Sequence, residues 1–323
     1  MVTQQQIARK LGISRQLVTL ALTGHPQVSE RSRKKILATA QKMGYRPNPQ
    51  ALALRKKRTG IIELWIPDFI SNHYIHVARE INRIVKQERN ELIISEVGSA
   101  ETKQISHLPM DGIFAVDASE QVEAFQKDAS SKSIPFVSIG AHRPSQGDYV
   151  QVDLHAGTLE LMEHLLGSGY RRIVHATFLK NSMSNRQQGY LESMQRAGLQ
   201  PEFIYYPLNE QQRPVLRQLI QNYIRDHGCP DAIFCHSDDA ALGIYRGLCD
   251  MKLRVPQDVA LASCDGIEDT EYLECPLTTL MQPVAAACAS AWQFLLTRMD
   301  HPNAKPQHLV LKPQLMIRQS SLR

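Results

Sequence analysis

The chain has 323 residues, which is long enough for two or three domains with sizeable cores. Its 43% hydrophobic and 21% charged residues are typical of a soluble globular protein. No signal-peptide pattern and no apolar run near the length of a membrane span is present, so we expect a cytoplasmic protein that does not enter a membrane.

The net charge of +5 is divided unevenly along the chain. Residues 1–58 hold thirteen Lys or Arg and one acidic residue, Glu30, which gives +12. Residues 59–323 hold the other 24 basic and 31 acidic residues, which gives −7. A basic module on an acidic body is the charge pattern of a protein that binds the phosphate backbone of nucleic acid.

The first 22 residues have the pattern of two short helices joined by a tight turn. Thr3 and Gln6 predict a capping box, Gly12 supplies the left-handed residue that ends the first helix, and Ser14 caps the second. The residues predicted to face inward have helical spacing: Ile7, Ala8, Leu11, Leu17, Val18, Ala21 and Leu22. This is the layout of a DNA-binding helix-turn-helix, although this stretch alone also fits an ordinary helical hairpin.

Two further helices are predicted before residue 58. Ser29 and Gly44 mark the ends of the first, and its apolar face consists of Ile36, Leu37, Ala40 and Met43. Asn48 as N-cap and Pro49 in the first helical position then predict a helix of about seven residues. A helix this short does not persist alone in water, so we expect it to fold only when docked, and its basic end favours docking on DNA.

Residues 3–58 resemble the DNA-binding headpiece of the LacI/GalR family of bacterial transcription regulators. The matching segments are QIARKLGIS at 6–14, VSE at 28–30, KILA at 35–38 and MGYRPN at 43–48. The resemblance implies a helix-turn-helix domain over 1–47, a hinge helix and linker over 48–59, and an effector-binding and dimerisation core over 60–323.

The resemblance also assigns residues that contact DNA. Base reading is expected from Arg15, which can donate a fork to guanine, from Gln16, which can pair with adenine, and from Leu20, which offers an apolar contact. Leu17, Thr19 and Leu20 depart from the usual residues, so no operator sequence can be copied from relatives. The candidates for phosphate positioning lie at helix N-termini or carry hydroxyl groups: Thr3, Gln4, Thr19 and Ser29.

Leu54 matches the hinge leucine that family members insert into the minor groove at the operator centre, with Ala51 and Arg55 beside it. The alternative is that Leu52 and Leu54 only pack two hinge helices together.

From Gly60 onward, short apolar strands alternate with helices, which predicts parallel sheets flanked by helices, with ligand held where two sheets meet. Strands are predicted at 61–66, 92–97, 112–116, 135–139, 173–178, 203–206, 231–235, 259–264, 309–311 and 314–318. Helices are predicted at 74–88, 155–167, 185–197, 211–226, 239–251 and 284–299.

The body resembles the periplasmic-binding-protein-like core of the same family, through HLLGSGYRRIVHAT at 164–177 and PDAIFCHSDDAALGIYRGL at 230–248. The expected fold is therefore an all-α headpiece plus an α/β core of two doubly wound parallel-sheet subdomains. The N-subdomain is expected to hold about 60–153 plus 281–305, and the C-subdomain about 154–280 plus 306–323. The family usually has a full helix between the second and third strands, whereas here the short 98–111 segment leaves room for at most two turns.

For the effector site, the resemblance points to Arg186 and Asp265, which would face each other in the cleft. An arginine and a carboxylate suit the hydroxyl groups of a small polar ligand such as a sugar, although a surface ion pair and a turn cap are the alternatives. Asn72 and Tyr74 fit the cleft-lining segment of the first subdomain. Asp238 ranks lower, because an aspartate there is more often a helix cap.

The sequence has no Gly-x-Ser-x-Gly, phosphate-loop or His-Glu-x-x-His motif, so we expect no enzyme, no cofactor and no metal site. His236, Asp238 and Asp239 have the residue types of a metal site but lack a further ligand cluster. The six cysteines lack Cys-x-x-Cys spacing, and we expect them to be buried free thiols.

These features together predict a ligand-responsive transcription regulator, most simply a repressor. Its expected partners are double-stranded operator DNA of pseudo-palindromic sequence, a small polar effector and a second copy in a homodimer, with a tetramer left open. Two other classes remain open: a sugar-binding protein without a regulatory role, and a DNA-binding enzyme. The sequence does not encode whether the effector is an inducer or a corepressor.

Overall fold

The computed structural model describes residues 2–45, 58–97, 109–127, 134–141, 146–178, 183–207 and 212–322. The chain divides into two contact-dense units, Met1–Thr59 and Gly60–Arg323. The residues predicted to form the hinge, Ala51, Leu54 and Arg55, lie outside the described residues, as does most of the short 98–111 segment.

The first unit contains three helices, α1 (Gln4–Leu11), α2 (Arg15–Leu22) and α3 (Glu30–Lys42). The predicted capping box at Thr3 is present, Gly12 ends α1 at φ +64°, and the side chains of Ser14 and Ser29 cap α2 and α3. The buried core of the unit is small: Ile7, Ala8, Val18, Ala21, Val28, Ile36 and Ala40.

Leu37 was predicted to face this core, and that prediction is wrong because the side chain is 44% exposed. Ile36 and Ala40 already fill the narrow strip of α3 that meets the other two helices, and Leu37 lies outside that strip.

The first sheet of the second unit has six parallel strands in the order β11-β5-β4-β3-β1-β2. They are β1 (Ile61–Ile66), β2 (Glu91–Glu96), β3 (Gly112–Val116), β4 (Phe136–Gly140), β5 (Asp148–Val152) and β11 (His308–Leu311). Helices α4 (Asn72–Gln87) and α10 (Val284–Asp300) cover one face, and α5 (Ser119–Lys127) covers the other.

The second sheet has the order β12-β10-β9-β8-β6-β7, and only β12 is antiparallel to its neighbour. Its strands are β6 (Ile173–Phe178), β7 (Glu202–Tyr206), β8 (Ala232–Cys235), β9 (Ala260–Asp265), β10 (Thr278–Met281) and β12 (Gln314–Met316). Its helices are α6 (Leu154–Gly167) and α7 (Asn185–Arg196) on one face, and α8 (Gln212–His227) and α9 (Asp238–Asp250) on the other.

One predicted subdomain boundary is wrong. Residues 306–311 were assigned to the second subdomain, but β11 pairs in parallel with β5 and completes the edge of the first sheet. The return to the second subdomain therefore comes later, between β11 and β12.

Among the described residues, no helix combines the length and the apolar character that crossing a membrane requires.

All six cysteines are free, as predicted, but Cys229 and Cys249 are exposed rather than buried. Both lie on the surface of the second subdomain, outside its core clusters.

Candidate DNA-binding surface and ligand cleft

Arg15 and Gln16 are exposed side chains in the first turn of α2. Leu20, one turn further along α2, is half-buried and packs against the helix core. Arg15 and Gln16 are therefore free to reach a base edge, whereas Leu20 has only part of its surface available.

Hydrogen bonds inside the headpiece engage the four side chains expected to position phosphate. Thr3 takes part in the capping box and Ser29 caps α3. The Thr19 hydroxyl donates to Gln4 Oε1 at 2.8 Å, and Gln4 Nε2 donates to the Tyr45 hydroxyl at 3.0 Å. This chain of bonds joins α1, α2 and Tyr45, which lies three residues after the end of α3.

In the second unit, polar side chains gather where the carboxyl ends of the two sheets face each other. Asp117 follows β3 in the first sheet, and Asp265 ends β9 in the second. The Asn185 side chain of α7 donates to the carbonyl oxygen of Ala141, after β4, at 2.9 Å. This edge is where parallel α/β sheets bind ligands, so the arrangement defines a cleft between the subdomains.

Arg186 lies at the second position of α7, and its side chain is 13% exposed. It contacts Asp265 Oδ1 at 3.5 Å and donates to Nε2 of His236. Because that nitrogen accepts, Nδ1 of His236 carries the proton that it shares with Thr177, whose hydroxyl oxygen lies 3.3 Å away. Arg186 Nε is buried and has no hydrogen-bond partner among the described residues.

Asp265 is held by a second neighbour. Gln282, which follows β10, donates from Nε2 to Asp265 Oδ1 at 2.9 Å, and its backbone N–H donates to the Asp265 carbonyl at 3.1 Å. Burial raises the pKa of Asp265 to about 6, while the guanidinium of Arg186 favours its charged form. The Arg186–Asp265 pair predicted from the sequence thus lies in the cleft.

The first subdomain contributes His73, Tyr74 and Asp117. Burial lowers the pKa of His73 to about 4 and raises that of Tyr74 well above its usual value, so both rings are neutral near pH 7. The rings meet edge to face with centroids 5.6 Å apart. Asp117 has φ +46° and accepts the Ala141 N–H at 2.9 Å, which holds the strand ends together.

Asp238 is fully buried, and four donors occupy its carboxylate. They are the Ser263 hydroxyl, the Thr279 hydroxyl and the backbone N–H groups of Gly266 and Ile267. Burial raises the pKa of Asp238 to about 7. The geometry gives Asp238 a role in fastening β9, β10 and the turn after β9, and leaves little acceptor capacity for a ligand.

Several cleft residues were missed by sequence reasoning. They are His73, Asp117, His236, Asp239 and Gln282. Asp117, His236 and Gln282 directly follow strands, which is a usable signal, but the sequence does not predict β10 and marks His236 only as a possible metal ligand. His73 and Asp239 lie in the first turns of helices and carry no such signal. Among the described residues, no three His, Cys, Asp or Glu side chains are placed to hold a metal ion together.

Residues 3–48 match the family model described as bacterial regulatory proteins, lacI family, and residues 162–321 match the periplasmic binding protein-like domain. The ribose operon repressor of Haemophilus influenzae is 27% identical, over 99% of this chain and 98% of that protein. Catabolite control protein A of Priestia megaterium is 24% identical, over 99% of both chains.

Two solved structures share the fold. The Lac repressor dimer bound to operator and an anti-inducer has a TM-score of 0.83 at 20% identity, over 100% of this chain and 99% of that one. A LacI family regulator from Enterococcus faecium with bound ribose has a TM-score of 0.71 at 22% identity, over 81% of this chain and 98% of that one.

A helix-turn-helix headpiece joined to a two-subdomain core with a polar cleft defines a class of DNA-binding transcription regulators. The chain belongs to the lacI family of bacterial regulatory proteins. The predicted family and fold class are confirmed, including the periplasmic-binding-protein-like core.

Proposed function

We propose that the chain is a transcription repressor that binds a pseudo-palindromic operator as a homodimer and responds to a small neutral sugar in the cleft. Closure of the cleft around the ligand would change the relation between the subdomains and, through residues 48–55, the operator affinity. Arg15 and Gln16 would read bases, with Leu20 as a weaker apolar contact. Leu54, flanked by Ala51 and Arg55, would occupy the minor groove.

The observation that carries the ligand class is the set of donors and acceptors in the cleft. Arg186 and the amides of Asn72 and Gln282 donate, whereas Asp265 and Asp117 accept. Each sugar hydroxyl donates one hydrogen bond and accepts up to two, so a mixture of donors and acceptors suits it. Arg186 and Asp265 carry opposite charges and lie in contact, which favours a neutral ligand over an ionic one.

Similar proteins support the same class. Ribose operon repressors of Haemophilus influenzae and Escherichia coli are 27% and 26% identical, and the Enterococcus faecium regulator holds ribose. We therefore propose aldoses, with D-ribose first, as the ligands to examine.

The test uses the full chain and DNA duplexes selected by the protein from a random pool. A thermal-shift panel of aldoses finds the ligand, calorimetry measures its affinity, and a gel-shift titration measures its effect on the selected duplex. We expect a change in DNA affinity of about fivefold or more. Sugar binding without that change would indicate a sugar-binding protein, turnover would indicate an enzyme, and no binding by any aldose would overturn the ligand class.

Arg186→Met should lower ligand affinity by about 10- to 100-fold, because a charge-assisted donor to the ligand is lost. Arg196→Met is the matched control, since Arg196 lies on the same helix and pairs with Glu192 at the surface. Calorimetry of both variants should show the loss for Arg186 alone, and equal affinities would contradict the assignment.

A further inference from the structure

Helix α4 begins at Asn72 without a cap from its own chain segment. Ser71 occupies the N-cap position and makes no side-chain cap hydrogen bond. The first N–H groups of a helix need acceptors from outside the helix. Here the acceptor is Asp239 of the other subdomain, which takes the Asn72 backbone N–H at 2.9 Å and Asn72 Nδ2 at 3.0 Å.

Asp239 is held in place from its own side of the cleft. It lies at the second position of α9, and Arg213 of α8 donates to the same carboxylate. The Asp239 side chain is 7% exposed, whereas that of Arg213 is 47% exposed. Both belong to the second subdomain, so the carboxylate is oriented before it meets α4. Its negative charge also interacts favourably with the positive end of the α4 dipole.

We propose that Asp239 is a positioning residue that caps α4 across the cleft and stabilises the closed arrangement of the subdomains without ligand. When the cleft opens, the hydrogen bonds from Asn72 in the first turn of α4 to Asp239 break. The contact therefore increases the fraction of molecules in the closed state, on which the apparent ligand affinity depends. This inference rests on the proposed ligand-responsive function, but its first consequence is measurable without any ligand.

The test compares two aspartates of the same helix by hydrogen exchange of the full, ligand-free chain. Asp239→Asn keeps the shape of the side chain and removes the charge of the cap. Asp250→Asn is the matched control, because Asp250 pairs with Arg217 and Arg246 inside the second subdomain. In Asp239→Asn we expect the first turn of α4 to exchange about fivefold faster or more. Asp250→Asn should leave that turn at the wild-type rate.

Hydrogen exchange in a second segment distinguishes stabilisation of the closed state from a purely local capping effect. The first turn of α7 carries another cross-cleft bond, from Asn185 to the Ala141 carbonyl. If Asp239 stabilises closure, exchange there should rise together with that of α4. Faster exchange in α4 alone would reduce Asp239 to a local cap and overturn the closure role. Faster exchange throughout α8 and α9 would mean damage to the second subdomain itself and would also count against the proposal.

Arg213→Gln provides an independent variant if Asp239→Asn folds poorly. It leaves the carboxylate in place but releases its anchor, so α4 and α7 should exchange faster than in the control Arg217→Gln. Unchanged exchange in both Asp239→Asn and Arg213→Gln would overturn the proposal. Because no sugar is present, a failure of the proposed ligand class would not alter these results.

Discussion

His175 lies inside the second subdomain with no exposed surface. Its Nδ1 lies 2.9 Å from the Phe234 carbonyl oxygen, and its ring stacks on that of Phe234 at 4.6 Å. Burial lowers its pKa to about 3, and the bond to the carbonyl opposes this shift only in part. The ring is therefore neutral in the folded protein at pH values where a histidine of the unfolded chain, with a pKa near 6.5, takes up a proton.

The free energy of unfolding should consequently decrease as the pH falls from about 6.5 toward about 3, by up to about 1.4 kcal/mol per pH unit from this residue. His175→Phe should remove that contribution and give a shallower decrease. Urea denaturation at several pH values measures it, with the surface substitution His301→Phe as control. Asp238 and Asp265, whose pKa values are raised, act in the opposite direction but are common to both proteins. An unchanged pH dependence in His175→Phe would contradict the assignment.

At the residue scale, the sequence predicted the parts of the cleft that a family motif marks. Arg186 and Asp265 were assigned from motifs and lie in contact. Their partners His236 and Gln282 could not be assigned, because they become neighbours only through the register and order of separate strands. For the same reason the sequence did not show that Asn72 bonds to Asp239, which is 167 positions away along the chain.

At the element scale, helices and strands with clear periodicity were predicted to within about two residues. Helix α5 and strands β5 and β10 were missed. β5 has polar Tyr149 and Gln151 at its half-buried positions, and β10 begins with two threonines that resemble a loop. Both threonines are fully buried, with their hydroxyls bonded to Asp238 and to the Arg318 carbonyl, so tertiary partners make this polar strand possible.

The bonds from Thr19 to Gln4 and from Gln4 to Tyr45 connect α2 to the rest of the headpiece. We predict that Gln4→Met weakens binding to a selected duplex by about fivefold, since each such bond contributes about 1 kcal/mol. Binding to a random duplex should remain unchanged, because the phosphate contacts are retained. Tyr45→Phe removes only the acceptor and should act in the same direction.

Gln5→Met is the control for this prediction, because Gln5 is exposed on the same helix. Salt titrations then decide between two roles of Gln4. If Gln4 instead contacts a phosphate, which is the role predicted from the sequence, Gln4→Met should lower the affinity for both duplexes equally. Equal losses for the two duplexes would contradict the role of Gln4 in holding α2 in place.

At the scale of the whole molecule, the chain connects its two subdomains three times. It passes from β5 to α6 at Asp153, from β10 to α10 near Gln282, and from β11 to β12 near Pro313. Any relative motion of the subdomains must therefore bend the chain at these three crossings. Gln282 lies at one crossing and also donates to Asp265, so the proposed ligand contact with Asp265 would lie beside that crossing.

The division of charge separates the two binding activities of the molecule. The +12 of residues 1–58 suits a polyanion, whereas the remainder has a net charge of −7 and its cleft holds the oppositely charged pair Arg186 and Asp265. DNA affinity should therefore fall about 100-fold or more between 50 and 200 mM salt, because each neutralised phosphate releases bound counterions. Affinity for a neutral sugar should change less than about twofold over the same range, because no net charge is brought together.

Fluorescence anisotropy with the selected duplex and calorimetry with the sugar measure the two slopes on one protein preparation. A steep salt dependence of ligand binding would indicate a charged effector, and a shallow one for DNA would mean that few of the basic residues meet phosphate.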